Sequence, residues 1–228
     1  MEFLYKYKSF NGSFTNESTN QSDEVKRSER ILTQAQRESN YSGMPDLKKP
    51  DLVPTIVFTD VEGSSKMWAD DPYTMMEQLK KHHELVVNLS EKNNGWVVKT
   101  IGDAFMVYFE PSKDSIINGL KFSKDLILQE EKFNLRVGVC RGLMQQETYR
   151  LQKNDLKDFY GNAVNTASRM ESRIADPNGI GFASIGGISK KELQLINNKI
   201  GKVKVVDLSK YDLRGAKIDS AYKIKIEK

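Results

Sequence analysis

The chain has 228 residues, a formal net charge of +4 at pH 7 and 38% hydrophobic residues, which suits one medium-sized globular domain with an appendage. The charge is mild, and without a local basic stripe it gives no support to nucleic-acid binding. No apolar run approaches the roughly 20 residues of a membrane span, and the N-terminus lacks a signal-peptide core. A single cysteine, Cys140, excludes an internal disulfide. We therefore expect a cytoplasmic protein in which Cys140 is a small core residue.

The first 50 residues differ in composition from the rest of the chain. NGSFTNESTNQSDE (11–24) is polar and poor in aliphatic side chains, which is typical of a flexible segment. DEVKRSERILTQAQRES (23–39) has helix-forming residues but only a thin apolar face. KKPDLVP (48–54) contains two prolines and is typical of a linker. We expect a flexible or partly helical extension over 1–50 and a folded domain over 51–228.

Beyond the linker, strand and helix patterns alternate. TIVFTD (55–60), VVKTIGDAFMVYF (97–109) and FNLRVGVCRGLM (133–144) predict one strand, a strand pair and a further strand. Residues 75–89 and 115–131 carry apolar side chains at helical spacing. The core order β-α-β-β-α-β predicts an α+β, ferredoxin-like fold, with an antiparallel sheet that is covered by helices on one face.

The second half of the domain continues with shorter elements. QQETYRLQKNDLK (145–157) is polar and predicts a protruding arm, whereas GNAVNTASRMESRI (161–174) predicts a helix. Three short strands are expected later, at 179–185, 202–208 and 220–226. The last one overlaps YKIKIEK (222–228), whose alternating lysines are typical of a half-solvated edge strand.

Two adjacent histidines, His82 and His83, lie on the first predicted helix. Side chains at adjacent positions of a helix point in different directions, so the two histidines are unable to coordinate one metal ion together. We expect a surface or partly buried role for both.

Two aspartates stand where chemistry is plausible. Asp60 closes the first strand, and Asp103 follows the turn between the second and third strands. The first and third strands are neighbours in this topology, so the carboxylates should lie close together and repel unless a cation separates them. Two Mg²⁺ or Mn²⁺ ions about 4 Å apart would remove the repulsion and permit phosphoryl chemistry. The alternative is that Asp60 caps a helix and Asp103 is a turn residue. The turn after Asp60, with Gly63, Ser64 and Ser65, leaves backbone N–H groups for phosphates.

Three segments together carry a family resemblance. TIVFTDVEGSS (55–65), VVKTIGDAFMVYF (97–109) and DFYGNAVNTASRM (158–170) occur in this order. They resemble the signature segments of class III nucleotidyl cyclases, the adenylate and guanylate cyclase catalytic domains, over about three quarters of the chain, from residue 54 onward. The resemblance implies the class III cyclase fold, with 145–157 as a dimerisation arm.

The resemblance also implies roles for individual residues. Asp60 and Asp103 match the family's metal-binding aspartates, and the backbone carbonyl of Val61 would be a further ligand, for two Mg²⁺ or Mn²⁺ ions per active site. Lys99 and Asp158 match the pair that recognises adenine, in which lysine donates to a ring nitrogen and aspartate accepts from the exocyclic amine. Guanylate cyclases typically carry glutamate and cysteine at these two positions.

Further matches concern the ribose and the phosphates. Asn165 would orient the ribose, and Arg169, one helical turn later, would stabilise charge on the α-phosphate. Without the resemblance, Asn165 is equally a packing or capping residue, Arg169 a solvated helix residue and Asp158 an N-cap residue. The family's lysine for the terminal phosphates has no direct match here, and Arg214 or Lys217 would replace it.

The resemblance implies a site shared between two catalytic domains. Because this chain carries both halves, it predicts a symmetric homodimer that converts ATP to cyclic AMP and pyrophosphate for second-messenger signalling. One alternative is a cyclase for another base, guanine or a pyrimidine, including one that makes cyclic CMP or UMP in anti-phage defence. Another is a catalytically silent cyclase-like regulatory or binding domain, which the complete residue sets disfavour. A ferredoxin-like nucleic-acid-binding domain would need exposed sheet aromatics beside basic residues.

Overall fold

The computed structural model describes residues 52–151 and 154–228, so the predicted extension over 1–50 lies outside the described residues. The strands are β1 (Val53–Val61), β2 (Gly95–Ile101), β3 (Ala104–Ser112), β4 (Leu135–Arg141), β5 (Gln145–Leu151), β6 (Asn154–Tyr160), β7 (Gly179–Ser184), β8 (Lys204–Val206) and β9 (Ala221–Lys225). The helices are α1 (Ser64–Asp70), α2 (Pro72–Lys92), α3 (Ser115–Gln129), α4 (Asn162–Arg169) and α5 (Lys190–Lys199), with a π-helical turn at Met170–Ile174 and a 3₁₀ turn at Leu208–Lys210.

Seven strands form the main sheet in the order β2-β3-β1-β4-β7-β9-β8. Strands β4 and β7 pair in parallel, and the other neighbours pair antiparallel. The first four strands with α2 and α3 have the predicted βαββαβ order, so the ferredoxin-like core is confirmed. The prediction of an edge strand at the C-terminus is wrong, because β9 lies between β7 and β8. The short strand β8 covers that edge.

Helices pack on both faces of the sheet. Successive residues of a strand point to opposite faces, and accordingly Val57 belongs to the core under α2, α3 and α5, whereas Ile56 belongs to the core under α4. The expectation that helices cover only one face is therefore wrong. The close approach of α4 depends on Gly138, because a Cβ there would overlap the carbonyl of Ala167 and the N–H of Glu171.

Strand β1 starts two residues earlier than the pattern TIVFTD predicts. Pairing with β3 shifts register between Val53 and Thr55, and Pro54, which has no N–H to donate, occupies the irregular position. Its carbonyl accepts a hydrogen bond from Gly142 N at 3.1 Å. The presumed linker thus ends inside the sheet.

The predicted first helix is divided into α1 and α2 at Asp71. The Asp71 side chain accepts a hydrogen bond from Thr74 N at 3.0 Å, and Pro72 opens the new helix. Of the apolar residues that the helical spacing predicts to face inward along α2, Met76 is 45% exposed, and the others are buried: Met75, Leu79, Val86 and Leu89.

His82 is fully buried, so the expectation of a surface or partly buried role is wrong for it. Its Nδ1 lies 2.6 Å from Glu130 Oε2, and its ring makes edge contacts with Phe105 and Phe133. Glu130 follows α3, 48 residues later in the chain, which is why no local pattern reveals the pair. His83 is partly buried, as expected.

Strands β5 and β6 form a separate two-stranded hairpin, which agrees with the polar arm predicted over 145–157. The hairpin is anchored through Phe159, which is buried and stacks on Tyr108 of β3 with ring centroids 4.2 Å apart. A role of the hairpin in dimerisation stays a prediction.

Cys140 lies buried in β4. Burial raises the pKa of its thiol to about 12, so it carries no thiolate near neutral pH and is a core residue, as predicted. Among the helices described, none is long and apolar enough to cross a membrane.

Candidate active site

The pairing of β1 with β3 brings Asp60 and Asp103 to one edge of the sheet. Thr59 is the register partner of Phe105, so Asp60, the next residue of β1, lies beside the turn that carries Asp103. Phe105 N also donates to Thr59 Oγ1 at 3.3 Å, which fixes the two strands at this point. The structure thus places the two aspartates at the same end of two neighbouring strands, and the close approach of their carboxylates stays a prediction.

The alternative structural role of Asp60 is not supported. Helix α1 begins after Gly63, which has a left-handed φ of 73°, and no side chain caps this helix. Asp103 has one oxygen, Oδ2, that is buried and has no hydrogen-bond partner within the described residues. A buried carboxylate oxygen without a partner is costly, and a bound cation would offset that cost.

The available donors fit a hard divalent cation. Asp60, Asp103 and the Val61 carbonyl offer only oxygen, which Mg²⁺ and Mn²⁺ prefer. The described part of the chain holds no cluster of three or more His, Cys, Asp or Glu side chains with metal-site geometry. Two carboxylates suffice for Mg²⁺, which usually keeps waters and shares substrate phosphates.

Arg136 joins this edge, and the sequence reasoning missed it. Arg136 is the cross-strand partner of Asp60, and its Nη2 lies 2.5 Å from Asp60 Oδ2. Its Nε lies 3.4 Å from Glu171 Oε1 without a hydrogen bond. Burial and the charge of Asp60 raise the pKa of Glu171 to about 7, and Arg136 offsets this only in part. The available signal was a charged residue inside the apolar run LRVGV.

Lys99 and Asp158, 59 residues apart, form an ion pair between the main sheet and the hairpin. Lys99 Nζ lies 2.6 Å from Asp158 Oδ2, after an irregularity of β2 between Val97 and Lys99. Burial alone would raise the pKa of Asp158, but hydrogen bonds from Lys99 and Phe159 N hold it below its ordinary value. An N-cap role is excluded, because Gly161 is the N-cap of α4 and no side chain caps it.

Helix α4 places Asn165 and Arg169 one turn apart on the same side. Arg169 Nε donates to the carbonyl of Arg214 at 3.1 Å. A Cβ on Gly215 would lie 4.0 Å from Asn165 Nδ2. The structure therefore brings the two predicted catalytic residues next to the loop that carries the candidate phosphate ligands.

That loop is held by Asn162, whose side chain accepts from Lys217 N at 2.8 Å and donates to Lys217 O at 2.9 Å. The guanidinium of Arg214 is paired with Asp212 at 2.6 Å, whereas the Lys217 ammonium has no ion pair among the residues described. Lys217 is accordingly the better candidate of the two for a terminal phosphate.

The turn after Val61 also keeps its predicted form. Lys66 N and Met67 N both bond to the Gly63 carbonyl. The N–H groups of Ser64 and Ser65 precede the first intrahelical bond and are available to an acceptor. A phosphate contact here stays a prediction.

One chain thus presents three groups of predicted site residues: the aspartates Asp60 and Asp103, the ion pair of Lys99 and Asp158, and the α4 residues Asn165 and Arg169. Within the described ranges, no hydrogen bond or ion pair joins Asp60 or Asp103 to Asn165 or Arg169. A cavity of about 770 Å³ lies elsewhere, at the other end of β1, and none of the predicted site residues line it. This cavity of the single chain therefore does not coincide with the candidate active site.

Comparison with known proteins adds the family. The adenylate and guanylate cyclase catalytic domain family matches residues 48–218. The receptor-type adenylate cyclase ESAG 4 of Trypanosoma brucei brucei is 41% identical over 59 residues, which are 26% of this chain and 5% of that protein. The adenylate cyclase of Schizosaccharomyces pombe is 24% identical over 202 residues, 73% of this chain and 12% of that protein. This chain therefore spans only a small part of these curated relatives.

Solved structures share the fold. The guanylate cyclase domain of RhGC from Catenaria anguillulae, in complex with GTP, matches with a TM-score of 0.61 and 23% identity. The match covers 78% of this chain and 98% of that one. At this level of identity the likeness concerns the fold alone.

Proposed function

Because this chain belongs to the adenylate and guanylate cyclase catalytic domain family, we propose that it is an adenylate cyclase that converts ATP to 3′,5′-cyclic AMP and pyrophosphate. The catalytic domain would comprise residues 51–228, preceded by an extension over 1–50. Production of a second messenger from ATP suits a cytoplasmic location. The choice of ATP rests on one observation, the Lys99–Asp158 ion pair of 2.6 Å.

The pair presents a donor beside an acceptor. Adenine offers the complement, a ring nitrogen that accepts and an exocyclic amine that donates, whereas guanine has a carbonyl where adenine has the amine. In the same orientation, Asp158 would face the guanine carbonyl and repel it. Cytosine shares the amine and the accepting ring nitrogen with adenine, so CTP is the nearest rival substrate, and UTP resembles GTP.

The remaining residues would act on the sugar and the phosphates. Asp60, Asp103 and the Val61 carbonyl would hold two Mg²⁺ or Mn²⁺ ions, which when bound acidify the ribose 3′-hydroxyl and neutralise triphosphate charge. Asn165 would orient the ribose for in-line attack of its 3′-oxygen on the α-phosphorus. Arg169 would stabilise the charge that develops there while pyrophosphate leaves.

A homodimer with two shared sites would complete the arrangement. The absence of any hydrogen bond or ion pair between the two aspartates and Asn165 or Arg169 among the described residues is compatible with this proposal. The hairpin also exposes large side chains that a partner would cover, Tyr149 at 48%, Leu156 at 48% and Tyr160 at 43%. Such a dimer would be symmetric, with each chain contributing a different half to each site.

The direct test offers ATP, GTP, CTP and UTP separately, with Mn²⁺, and identifies cyclic products by mass. We expect cyclic AMP from ATP, less cyclic CMP from CTP and little product from GTP or UTP. Asp103→Asn is the inactive control. Cyclic GMP as the main product would contradict the assignment of the base, and no product from any nucleotide would favour the catalytically silent alternative.

A further inference from the structure

One face of the hairpin carries a chain of hydroxyl groups that ends at Asp158. Tyr160 OH donates to Asp158 Oδ2 at 2.9 Å, and Tyr149 OH donates to Tyr160 OH at 3.2 Å. The register of β5 and β6 places all three side chains on the same face. Lys99 Nζ reaches the same carboxylate oxygen at 2.6 Å.

These contacts leave Asp158 with one open acceptor position. A carboxylate oxygen accepts about two hydrogen bonds, and Oδ2 already receives one from Lys99 and one from Tyr160. Oδ1 accepts from Phe159 N at 2.8 Å, so one acceptor position remains on it. The Asp158 side chain is 16% exposed, which leaves it accessible to a ligand.

The Tyr160 hydroxyl stays a donor throughout the neutral range. The hydrogen bond that it donates to the Asp158 carboxylate and the negative charge of that group raise the pKa of the Tyr160 hydroxyl above its ordinary value. Because its proton is committed to Asp158, the hydroxyl does not serve as a donor to a base carbonyl such as that of guanine.

We propose that Tyr160, supported by Tyr149, is a positioning residue for base selection. Its hydroxyl satisfies Oδ2 within the protein and so directs Oδ1 of Asp158 at the amino group of the substrate base. This inference rests on the proposed cyclase function, with Lys99 and Asp158 as the base-reading pair. Without the hydroxyl, Asp158 gains a second open acceptor and rotates more freely, so an amino group is bound less tightly.

Tyr149 and Tyr160 lie outside the buried contact that anchors the hairpin, so their role in positioning Asp158 is distinct from a role in hairpin stability. Within one chain both are exposed to nearly half, and phenylalanine keeps the ring that a partner would cover in the proposed dimer. The hairpin itself is anchored through buried Phe159 on Tyr108. Loss of a hydroxyl at Tyr160 therefore leaves the anchor in place.

The test compares Tyr160→Phe and Tyr149→Phe in the full chain with Tyr73→Phe, a control at a tyrosine that is 87% exposed on α2. The readouts are kcat and KM for ATP and GTP, and equilibrium binding of 3′-deoxy-ATP and 3′-deoxy-GTP with Mn²⁺. These analogues lack the attacking hydroxyl and are not cyclised. For Tyr160→Phe we expect KM for ATP and Kd for 3′-deoxy-ATP to rise about tenfold, as for loss of a hydrogen bond to a charged group.

The expected pattern is specific to the base. In Tyr160→Phe the ATP to GTP ratio of kcat/KM falls together with the affinity for 3′-deoxy-ATP, and kcat for ATP changes less than KM. Tyr149→Phe shows the same pattern more weakly. The inference is overturned if Tyr160→Phe leaves both the ATP to GTP ratio of kcat/KM and the Kd for 3′-deoxy-ATP unchanged. It is also overturned if kcat/KM falls equally for both nucleotides and the melting temperature is lower. If the wild-type protein cyclises no nucleotide, the result contradicts the proposed function and not the role of Tyr160. The binding measurements with 3′-deoxy-ATP and 3′-deoxy-GTP then still test Tyr160.

Discussion

Arg136 and Asp60 form an ion pair across strands β4 and β1, with Nη2 2.5 Å from Oδ2. The pair occupies the edge of the sheet where the proposed cations would bind. Glu171, whose Oε1 lies 3.4 Å from Arg136 Nε, is a second carboxylate near the same guanidinium. A cation at Asp60 must therefore share this carboxylate with Arg136 or displace the guanidinium.

Arg136→Gln should bind Mn²⁺ more tightly than the wild type when no nucleotide is present. Removing a guanidinium beside the site removes about 1 kcal/mol of repulsion between two cations, which corresponds to about fivefold in Kd. Isothermal titration with MnCl₂ measures this, and Arg173→Gln, at an exposed arginine, is the control. Equal Mn²⁺ affinity in wild type and Arg136→Gln would show that Arg136 does not compete for Asp60.

Glu171→Gln should remove a pH dependence of stability. The folded pKa of about 7 lies above the ordinary 4.5, so between these values the folded state binds a proton that the unfolded state lacks. The free energy of unfolding of the wild type should therefore fall as pH rises from 4.5 to 7, by at most roughly 3 kcal/mol. Urea denaturation at pH 5, 6, 7 and 8 tests this. If the free energy of unfolding of Glu171→Gln falls with pH as steeply as that of the wild type, the prediction is wrong.

Asp103→Asn should abolish turnover and keep the fold. Loss of a metal carboxylate should lower kcat by on the order of a thousandfold. Because Oδ2 is buried without a partner, a neutral amide should leave the melting temperature equal or higher. Cyclic product is measured by mass and stability by thermal denaturation, with Asp219→Asn in an exposed loop as control. Full activity in Asp103→Asn would refute the metal assignment.

Mixing two inactive variants should restore activity if the sites are shared. Asp103→Asn keeps Arg169, and Arg169→Ala keeps Asp103, so a heterodimer has one intact site and one with both defects. An equimolar mixture with free exchange should recover about a quarter of wild-type activity. Neither variant alone should exceed background. No recovery, despite heterodimers seen by native mass spectrometry, would show that each site is built within one chain.

Replacing the base-reading pair should reverse nucleotide choice. Lys99→Glu with Asp158→Cys supplies an acceptor where Lys99 donates and removes the carboxylate that would repel a guanine carbonyl. We expect the ratio of kcat/KM for ATP over GTP to fall by about a hundredfold or more, given 1 to 3 kcal/mol per base contact. Lys99→Glu alone should be poor with both nucleotides, because two acids then face each other. An unchanged ATP preference in the double variant would place base selection elsewhere.

Much of this architecture is predictable because it depends on local patterns. Alternating and helical apolar spacing located β1, β3, β4 and α3, since each buries a face that is set by its own residues. The order of these elements then indicated that β1 and β3 are neighbours, and hence that Asp60 and Asp103 share an edge. That Asn165 and Arg169 share one side of a helix was equally foreseeable from their spacing of four residues, whereas their proposed roles came from the family resemblance alone.

The sequence by itself thus determined the ferredoxin-like core and, through the family resemblance of its short motifs, the candidate residues for chemistry, because strand period, helix period and motifs are local properties. Only the tertiary structure decided the partners of those residues. Arg136 meets Asp60 across 76 positions of the chain, and His82 meets Glu130 across 48. Tyr149 and Tyr160 join Asp158 through the register of the hairpin. Such contacts depend on strand register and side-chain reach, which no local pattern encodes.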